Sequence, residues 1–167
     1  MKSTFNPILE LEKQGIFIEE NCDASFLLKT AKLAGLMDVD QWTSKEKFQA
    51  LLDIELLIAF IAVLKDTGDK KTKAVGEIMG GFEEEGRIWI ELLVVEPSYR
   101  RKGIASALVQ KLAQVGRELG YRGLFVDVDS DNYEALKFYK AVKFGKSGSI
   151  KEYYYDESDA VILLRHL

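Results

Sequence analysis

Glu96-Pro97-Ser98-Tyr99-Arg100-Arg101-Lys102-Gly103-Ile104-Ala105 separates an apolar, strand-like run, Ile88 to Val95, from an amphipathic pattern, Ile104 to Leu119. A strand that passes through a basic, glycine-containing turn into a helix N-terminus makes an anion site. The N–H groups of the turn and the helix dipole converge on one place there. Arg100, Arg101 and Lys102 add adjacent positive charge. The stretch reads as a turn that binds a phosphate-bearing ligand, and it puts a strand–loop–helix crossover in the middle of the chain.

Two common phosphate loops are excluded. The turn lacks the first glycine and the Gly-Lys order of G-x-x-x-x-G-K-[ST]. It also lacks G-x-G-x-x-G. What stands there is Arg100-x-x-Gly103-x-Ala105. The net charge of −4 argues against non-specific nucleic-acid binding, since the basic charge is confined to one turn. Cys22 is the one cysteine and His166 the one histidine. No intrachain disulfide, Cys-based metal site or His-rich zinc site is expected, so no metal is expected. Met1 to Glu12 is mixed, without the apolar core of a signal peptide. The longest apolar run, Leu56 to Leu64, is too short to span a bilayer. The expectation is a soluble cytoplasmic protein that contacts neither nucleic acid nor membrane.

At 167 residues, nearly half of them apolar, the chain is most simply one domain. Residues 1–15 carry no clear pattern. Ile16 to Glu19 reads as a strand. Asp23-Ala24-Ser25 before Phe26, Leu27, Thr30, Leu33 and Ala34, with Gly35 after, predicts a capped helix. Thr43-x-x-Glu46 predicts a second, carrying Phe48, Leu51 and Leu52. Ile54 to Leu64 reads as a buried strand, with a helix the alternative. Ala74 to Phe82 and Ile88 to Val95 follow as strands, after turns at Asp66–Lys70 and Glu83–Gly86, which predicts an antiparallel meander. Ile104, Leu108, Leu112, Val115 and Leu119 mark a helix stopped by Gly120. Leu124 to Asp129 alternates as a strand. Asp131-x-x-Glu134 predicts a capping box for a helix with Ala135, Leu136, Phe138, Tyr139 and Val142 inward. Strands around Ile150 to Tyr155 and Ala160 to Leu164 close the chain.

That last helix carries a second motif. Asn132, Ala135, Tyr139 and Phe144 fit the spacing N-x-x-A-x-x-x-Y-x-x-x-x-F. Together with Arg100-x-x-Gly103-x-Ala105, it resembles the signatures of the GCN5-related N-acetyltransferase (GNAT) superfamily. Lys143 stands where that family usually has glycine. The resemblance covers residues 70–166. It implies an α/β fold with a mixed, mostly antiparallel sheet flanked by helices, and acetyl-CoA as cosubstrate in a cleft between two splayed central strands. Residues 70–166 would form the cofactor and catalytic core of a single N-acetyltransferase domain, and 1–65 a variable acceptor-side region.

The resemblance also implies roles. Arg100, Arg101 and Lys102, with Gly103 and the opening helical residues Ile104, Ala105 and Ser106, would hold the pyrophosphate. Gly103 allows close backbone approach, and Ala105 keeps the first turn small. Backbone N–H groups at Val94 and Val95 would meet the thioester oxygen. Asn132 would bind the pantetheine arm. Tyr139 would be the general acid, since a phenol is protonated at neutral pH. Asp127, where the ribosomal-protein alanine acetyltransferases carry a glutamate, is one candidate base; Glu91 is the rival. Tyr139 also read as a core aromatic, and either carboxylate as a solvated strand residue.

Lys151-Glu152-Tyr153-Tyr154-Tyr155-Asp156-Glu157-Ser158-Asp159-Ala160 resembles the Tyr-Tyr…Asp-Ala hairpin of protein N-terminal acetyltransferases. Tyr153 and Tyr154 would line an acceptor slot; an aromatic hairpin held by cross-strand pairs is the alternative. An α-amine, with pKa about 8, costs about 1.4 kcal/mol to deprotonate at pH 7, against about 4.6 kcal/mol for lysine. A weak base therefore suits an α-amine. The expected activity is direct acetyl transfer from acetyl-CoA to a primary amine, leading with a protein or peptide α-amine. The alternatives are a small amine, such as a polyamine or aminoglycoside, and a non-catalytic acyl-CoA-binding module. Homodimers are common in the family and leave the oligomeric state open.

Overall fold

The computed structural model of the chain describes residues 6–21, 23, 27, 49–50, 52–53, 56–65 and 72–167. The helices expected over 26–34 and 44–52, and the turn at 66–70, fall almost wholly outside them. Among the described residues, α1 (Pro7–Glu12) precedes β1 (Ile16–Glu20), β2 (Leu57–Lys65), β3 (Thr72–Glu83) and β4 (Arg87–Val95). Then come α2 (Ile104–Glu118), β5 (Gly123–Asp129), α3 (Tyr133–Ala141), β6 (Gly145–Ile150) and β7 (Ala160–His166). The strands hydrogen bond in the order β1-β2-β3-β4-β5-β7-β6. The described residues group into two compact units. One draws on the chain up to Phe82 and on Glu91–Leu112, the other on Glu83–Ile90 and Ala113–Leu167.

In the first unit β1 and β3 both pair antiparallel with β2. Alternation along these strands sorts the core onto two faces. Phe60 opposite Ile78 and Ala62 opposite Gly76 lie on one. Helix α2 approaches this face so closely that a Cβ on Gly76 would stand 2.9 Å from Ile104 Cγ2 and 3.2 Å from the Val94 carbonyl oxygen. Ala59 opposite Met79 and Ile61 opposite Glu77 lie on the other face. There Leu27, Leu52, Val63, Leu92 and Val94 complete an apolar cluster. Glu77 is 1% exposed, and among the described residues neither carboxylate oxygen has a hydrogen-bond partner. Burial pushes its carboxyl up to about 8.

In the second unit the start of β4 pairs parallel with β5, from Arg87–Gly123 to Trp89–Phe125. This is the crossover expected from the basic turn, since a parallel pair requires a long connection. Antiparallel β5–β7 and β6–β7 ladders complete the unit.

Three local readings are corrected. Residues 1–15 contain α1, started by Pro7 and capped by Asn6 Oδ1, which accepts from the Ile8 N–H at 3.0 Å. The cap of α3 is Asn132, whose Oδ1 accepts from the Ala135 N–H at 3.0 Å, and not Asp131. The Asp131 N–H is instead engaged by Asp129 Oδ1 at 2.8 Å, which starts the helix one residue later. The strand expected over Ile150 to Tyr155 ends at Ile150. The tyrosines occupy the loop before β7, where left-handed backbone at Glu152 and Glu157 breaks any strand. β-Propensity favoured a strand there, and the loop's longer-range bonds override it.

Candidate active site

The basic turn is built locally. Pro97–Tyr99 forms a single 3-10 turn, with the Tyr99 N–H donating to the Glu96 carbonyl at 2.8 Å. Arg100 Nε donates back to the Val95 carbonyl at 3.1 Å, which folds the loop onto the end of β4. Lys73 Nζ binds Glu96 at 2.9 Å. That hydrogen bond holds the ammonium above its ordinary pKa and the carboxyl below its own. Lys73 and Lys102 both lie over the Tyr99 ring, at 5.1 and 4.9 Å from its centroid. Arg101 and Gly103 take left-handed backbone, φ 63° and 86°. Left-handed residues in a tight turn direct successive N–H groups into a shared concavity suited to anions.

Arg100, Arg101, Lys102 and Gly103 are exposed, whereas Ile104 is buried and anchors the helix. A Cβ on Gly103 would meet nothing within 4 Å. Packing therefore does not demand glycine at this position; the left-handed backbone conformation does. The first N–H groups of α2 have no intrahelical acceptor. Residues, conformation and space all fit a pyrophosphate.

The second unit assembles a cluster around Asp127. Trp89 pairs with Phe125 across the β4–β5 ladder and stacks on it, centroids 5.8 Å apart at 13°. Asp127 is two residues further along the same face of β5. Trp89 Nε1 donates to Asp127 Oδ1 at 2.9 Å, and the Tyr154 hydroxyl donates to Oδ2 at 2.8 Å. Burial, then the hydrogen bond to Asp127, raises the Tyr154 phenol well above its ordinary pKa.

Tyr139 is 6% exposed and held edge-on between Phe138 and Phe144, each 5.1 Å away. Burial and, secondarily, the charge of Asp127 raise its phenol too. It stays protonated throughout the neutral range. Lys143, at the position where glycine was expected, adopts φ 72°. It closes α3 in the left-handed conformation, with the next N–H, Phe144, donating to the Tyr139 carbonyl at 2.9 Å.

Asp127, Tyr139 and Tyr154 thus come together in one unit. Asn132 shares that unit; its Oδ1 is taken by the helix cap, leaving the amide N–H2 as its donor. Tyr153 packs edge-on against Tyr154, at 5.0 Å. Glu91 belongs to the other unit, exposed and close to Gly81. Val94 and Val95 are there as well, at the end of β4 before the basic turn. Sequence reasoning missed Trp89 and Ser158. Ser158 Oγ donates to Asp129 Oδ2 at 3.1 Å and ties the tyrosine loop to β5. The one available signal was that a half-buried indole N–H usually finds a partner.

Residues 27–144 match the model of the acetyltransferase (GNAT) family. An N-alpha-acetyltransferase of Saccharolobus solfataricus is 32% identical over 170 residues, covering 89% of this chain and 98% of that protein. The ribosomal-protein-S18-alanine N-acetyltransferase from Escherichia coli has a TM-score of 0.71 at 19% identity, over 90% of this chain and 93% of its own. Arabidopsis thaliana NAA60, in complex with acetyl-CoA, has a TM-score of 0.75 at 18% identity, over 91% of this chain and 98% of its own. The two solved structures share the fold.

Proposed function

Since the chain belongs to the acetyltransferase (GNAT) family, we propose that its acceptor is the α-amine of a protein or peptide N-terminus. It is an acetyl-CoA-dependent N-acetyltransferase with the GNAT fold. The observation that carries the acceptor reading is the Tyr154–Asp127 hydrogen bond, which brings the tyrosine loop to a carboxylate able to take a proton. Similarity to a protein named N-alpha-acetyltransferase over nearly its whole length supports the same reading.

Each group then has a task. Arg100, Arg101, Lys102 and the N–H groups opening α2 hold the pyrophosphate by charge and by the helix dipole. Bound acetyl-CoA supplies an activated acyl thioester. The N–H groups of Val94 and Val95 serve the carbonyl oxygen as charge develops on it. Asp127 accepts a proton from the incoming ammonium and frees the nitrogen lone pair. The C–N bond forms, the C–S bond breaks, and Tyr139 gives its phenolic proton to the departing sulfur. The amide nitrogen loses a second proton, which restores Tyr139; one proton is released overall. Asp127 is a weak base, and an α-amine needs about 3 kcal/mol less deprotonation than a lysine at neutral pH.

Thiol release from acetyl-CoA, measured with N-terminal peptides, free lysine, polyamines and aminoglycosides, tests the acceptor. Turnover with the peptides alone is expected. Turnover with a small amine alone would overturn the acceptor class and keep the transfer chemistry. Binding of acetyl-CoA with no turnover on any acceptor would favour a binding module.

A further inference from the structure

Asp127 has both carboxylate oxygens engaged, by donors from separate parts of the chain: the Trp89 indole of β4 at 2.9 Å and the Tyr154 hydroxyl of the β6–β7 loop at 2.8 Å. We propose that Trp89 and Tyr154 are positioning residues for acetyl transfer, holding the Asp127 carboxylate in one orientation so that its remaining lone pairs receive the proton of the acceptor amine. This rests on the reading of Asp127 as the proton acceptor.

The chemistry of the two donors supports it. An indole N–H can donate and never accept, so Trp89 bonds an oxygen of Asp127 and cannot accept from an O–H on it. The Tyr154 hydroxyl donates to the second oxygen, so both oxygens act as acceptors and are fixed from two sides. An aspartate side chain turns about two bonds, and donors at both oxygens remove both rotations. Each oxygen keeps a further lone pair, so the carboxylate is oriented without being saturated.

Both donors are themselves held. The indole is stacked on Phe125. The tyrosine loop is bound by the Tyr153 and Tyr154 N–H groups on the Ser158 carbonyl, at 2.9 and 3.2 Å. It is bound again by Glu152 N–H on Asp159 Oδ1 at 2.9 Å and by Ser158 Oγ on Asp129. The arrangement answers the shortness of Asp127. A side chain one methylene shorter than glutamate reaches less far, and fixing its direction keeps that reach usable. Among the described residues, Tyr139 of α3 feels the charge of Asp127, and Tyr153 of the loop and Asp129 of β5 act on its partner Tyr154.

The chain has two tryptophans, so its indole N–H groups give two resolvable NMR signals, and Trp89→Phe identifies one of them. In the full-length protein the Trp89 signal is expected to shift in Asp127→Asn and in Tyr154→Phe, and to stay in place in Asp129→Asn. With an N-terminal peptide, Trp89→Phe and Tyr154→Phe should each lower kcat roughly tenfold. The acetyl-CoA KM should stay unchanged, a split that a general loss of structure would not produce.

An unmoved Trp89 signal or an unchanged kcat in Tyr154→Phe would overturn the positioning role, as would a Trp89 signal displaced in Asp129→Asn. Because Tyr154 is half-buried on a largely exposed loop, that variant carries the test if Trp89→Phe does not fold. Asp127→Asn separates the two levels. If it turns over at the wild-type rate, the reading of Asp127 as proton acceptor fails. If it is inactive while Tyr154→Phe leaves kcat in place, the positioning role alone fails.

Discussion

The loop at Arg100–Ala105 and the loop at Lys151–Asp159 are both short connections, and they are built in opposite ways. The first is held by bonds to near neighbours in sequence: Tyr99 to Glu96, Arg100 to Pro97 and to Val95. It presents backbone N–H groups and exposed cations, so its chemistry is that of the main chain. The second is held to β5 by side chains 27 and 29 residues distant, Tyr154 to Asp127 and Ser158 to Asp129. A loop made of backbone should tolerate changes of side chain and fail on changes of conformation. A loop made of side-chain pairs should do the reverse.

The largest effect expected from that contrast is on turnover. Tyr139→Phe keeps the aromatic packing between Phe138 and Phe144 and removes one proton. Thiol-release assays should show kcat down about 10²-fold or more, as for loss of a general acid, with calorimetric acetyl-CoA binding unchanged. Turnover within a few fold of wild type would return Tyr139 to the core.

Glu77 belongs to neither loop and provides the control for effects on stability alone. Its folded-state pKa, about 8, lies above the ordinary carboxyl value of 4.5. Below pH 4.5 both states are protonated and burial of the carboxyl carries no charge penalty. Between there and pH 8 the unfolded chain ionises while the folded one does not, so stability falls as pH rises, and the loss is complete above pH 8. Glu77→Gln should remove this slope in denaturant titrations at pH 5 and pH 9, gaining a few kcal/mol at the higher pH. Equal stability changes at both pH values would contradict the origin assigned to it.

Gly103→Ala tests the backbone loop. A Cβ there meets no neighbour, so any loss comes from the left-handed conformation, about 1–2 kcal/mol. Acetyl-CoA affinity should weaken roughly tenfold while kcat at saturation holds. Lys143→Gly runs the same test in reverse. Relief of its left-handed strain should raise stability by up to about 1 kcal/mol, read as a higher Tm, with kinetics unaffected. A lowered Tm would mean that the lysine side chain contributes more than its backbone costs.

Much of the fold was legible because its signals are short-ranged. Ile104 to Leu119 repeats at helical spacing and folds as Ile104–Glu118. Leu124 to Asp129 alternates and folds as Gly123–Asp129. The readings that failed were those where two local rules competed. Asp131 and Asn132 are both good caps, and the Asp129 side chain, by engaging the Asp131 N–H, left the role to Asn132. Three tyrosines favour a strand, and the hydrogen bonds to Asp127 and within the loop overrule that preference. In the candidate site, the family resemblance pointed to Tyr139 and Asp127 as candidates, whereas Trp89 carried no motif.

By itself the sequence determined the basic turn, the crossover helix behind it and the helix that carries Tyr139, since each depends on residues within a few positions of one another. Only the tertiary structure decided what Asp127 is bonded to. Trp89 lies 38 residues before it and Tyr154 lies 27 after it. Contacts across such distances are made by strand register, which aligns Trp89 with Phe125, and by the loop that returns before β7. Spacing along the chain encodes neither, because a side chain's partner across a sheet is chosen by where the neighbouring strand stops sliding.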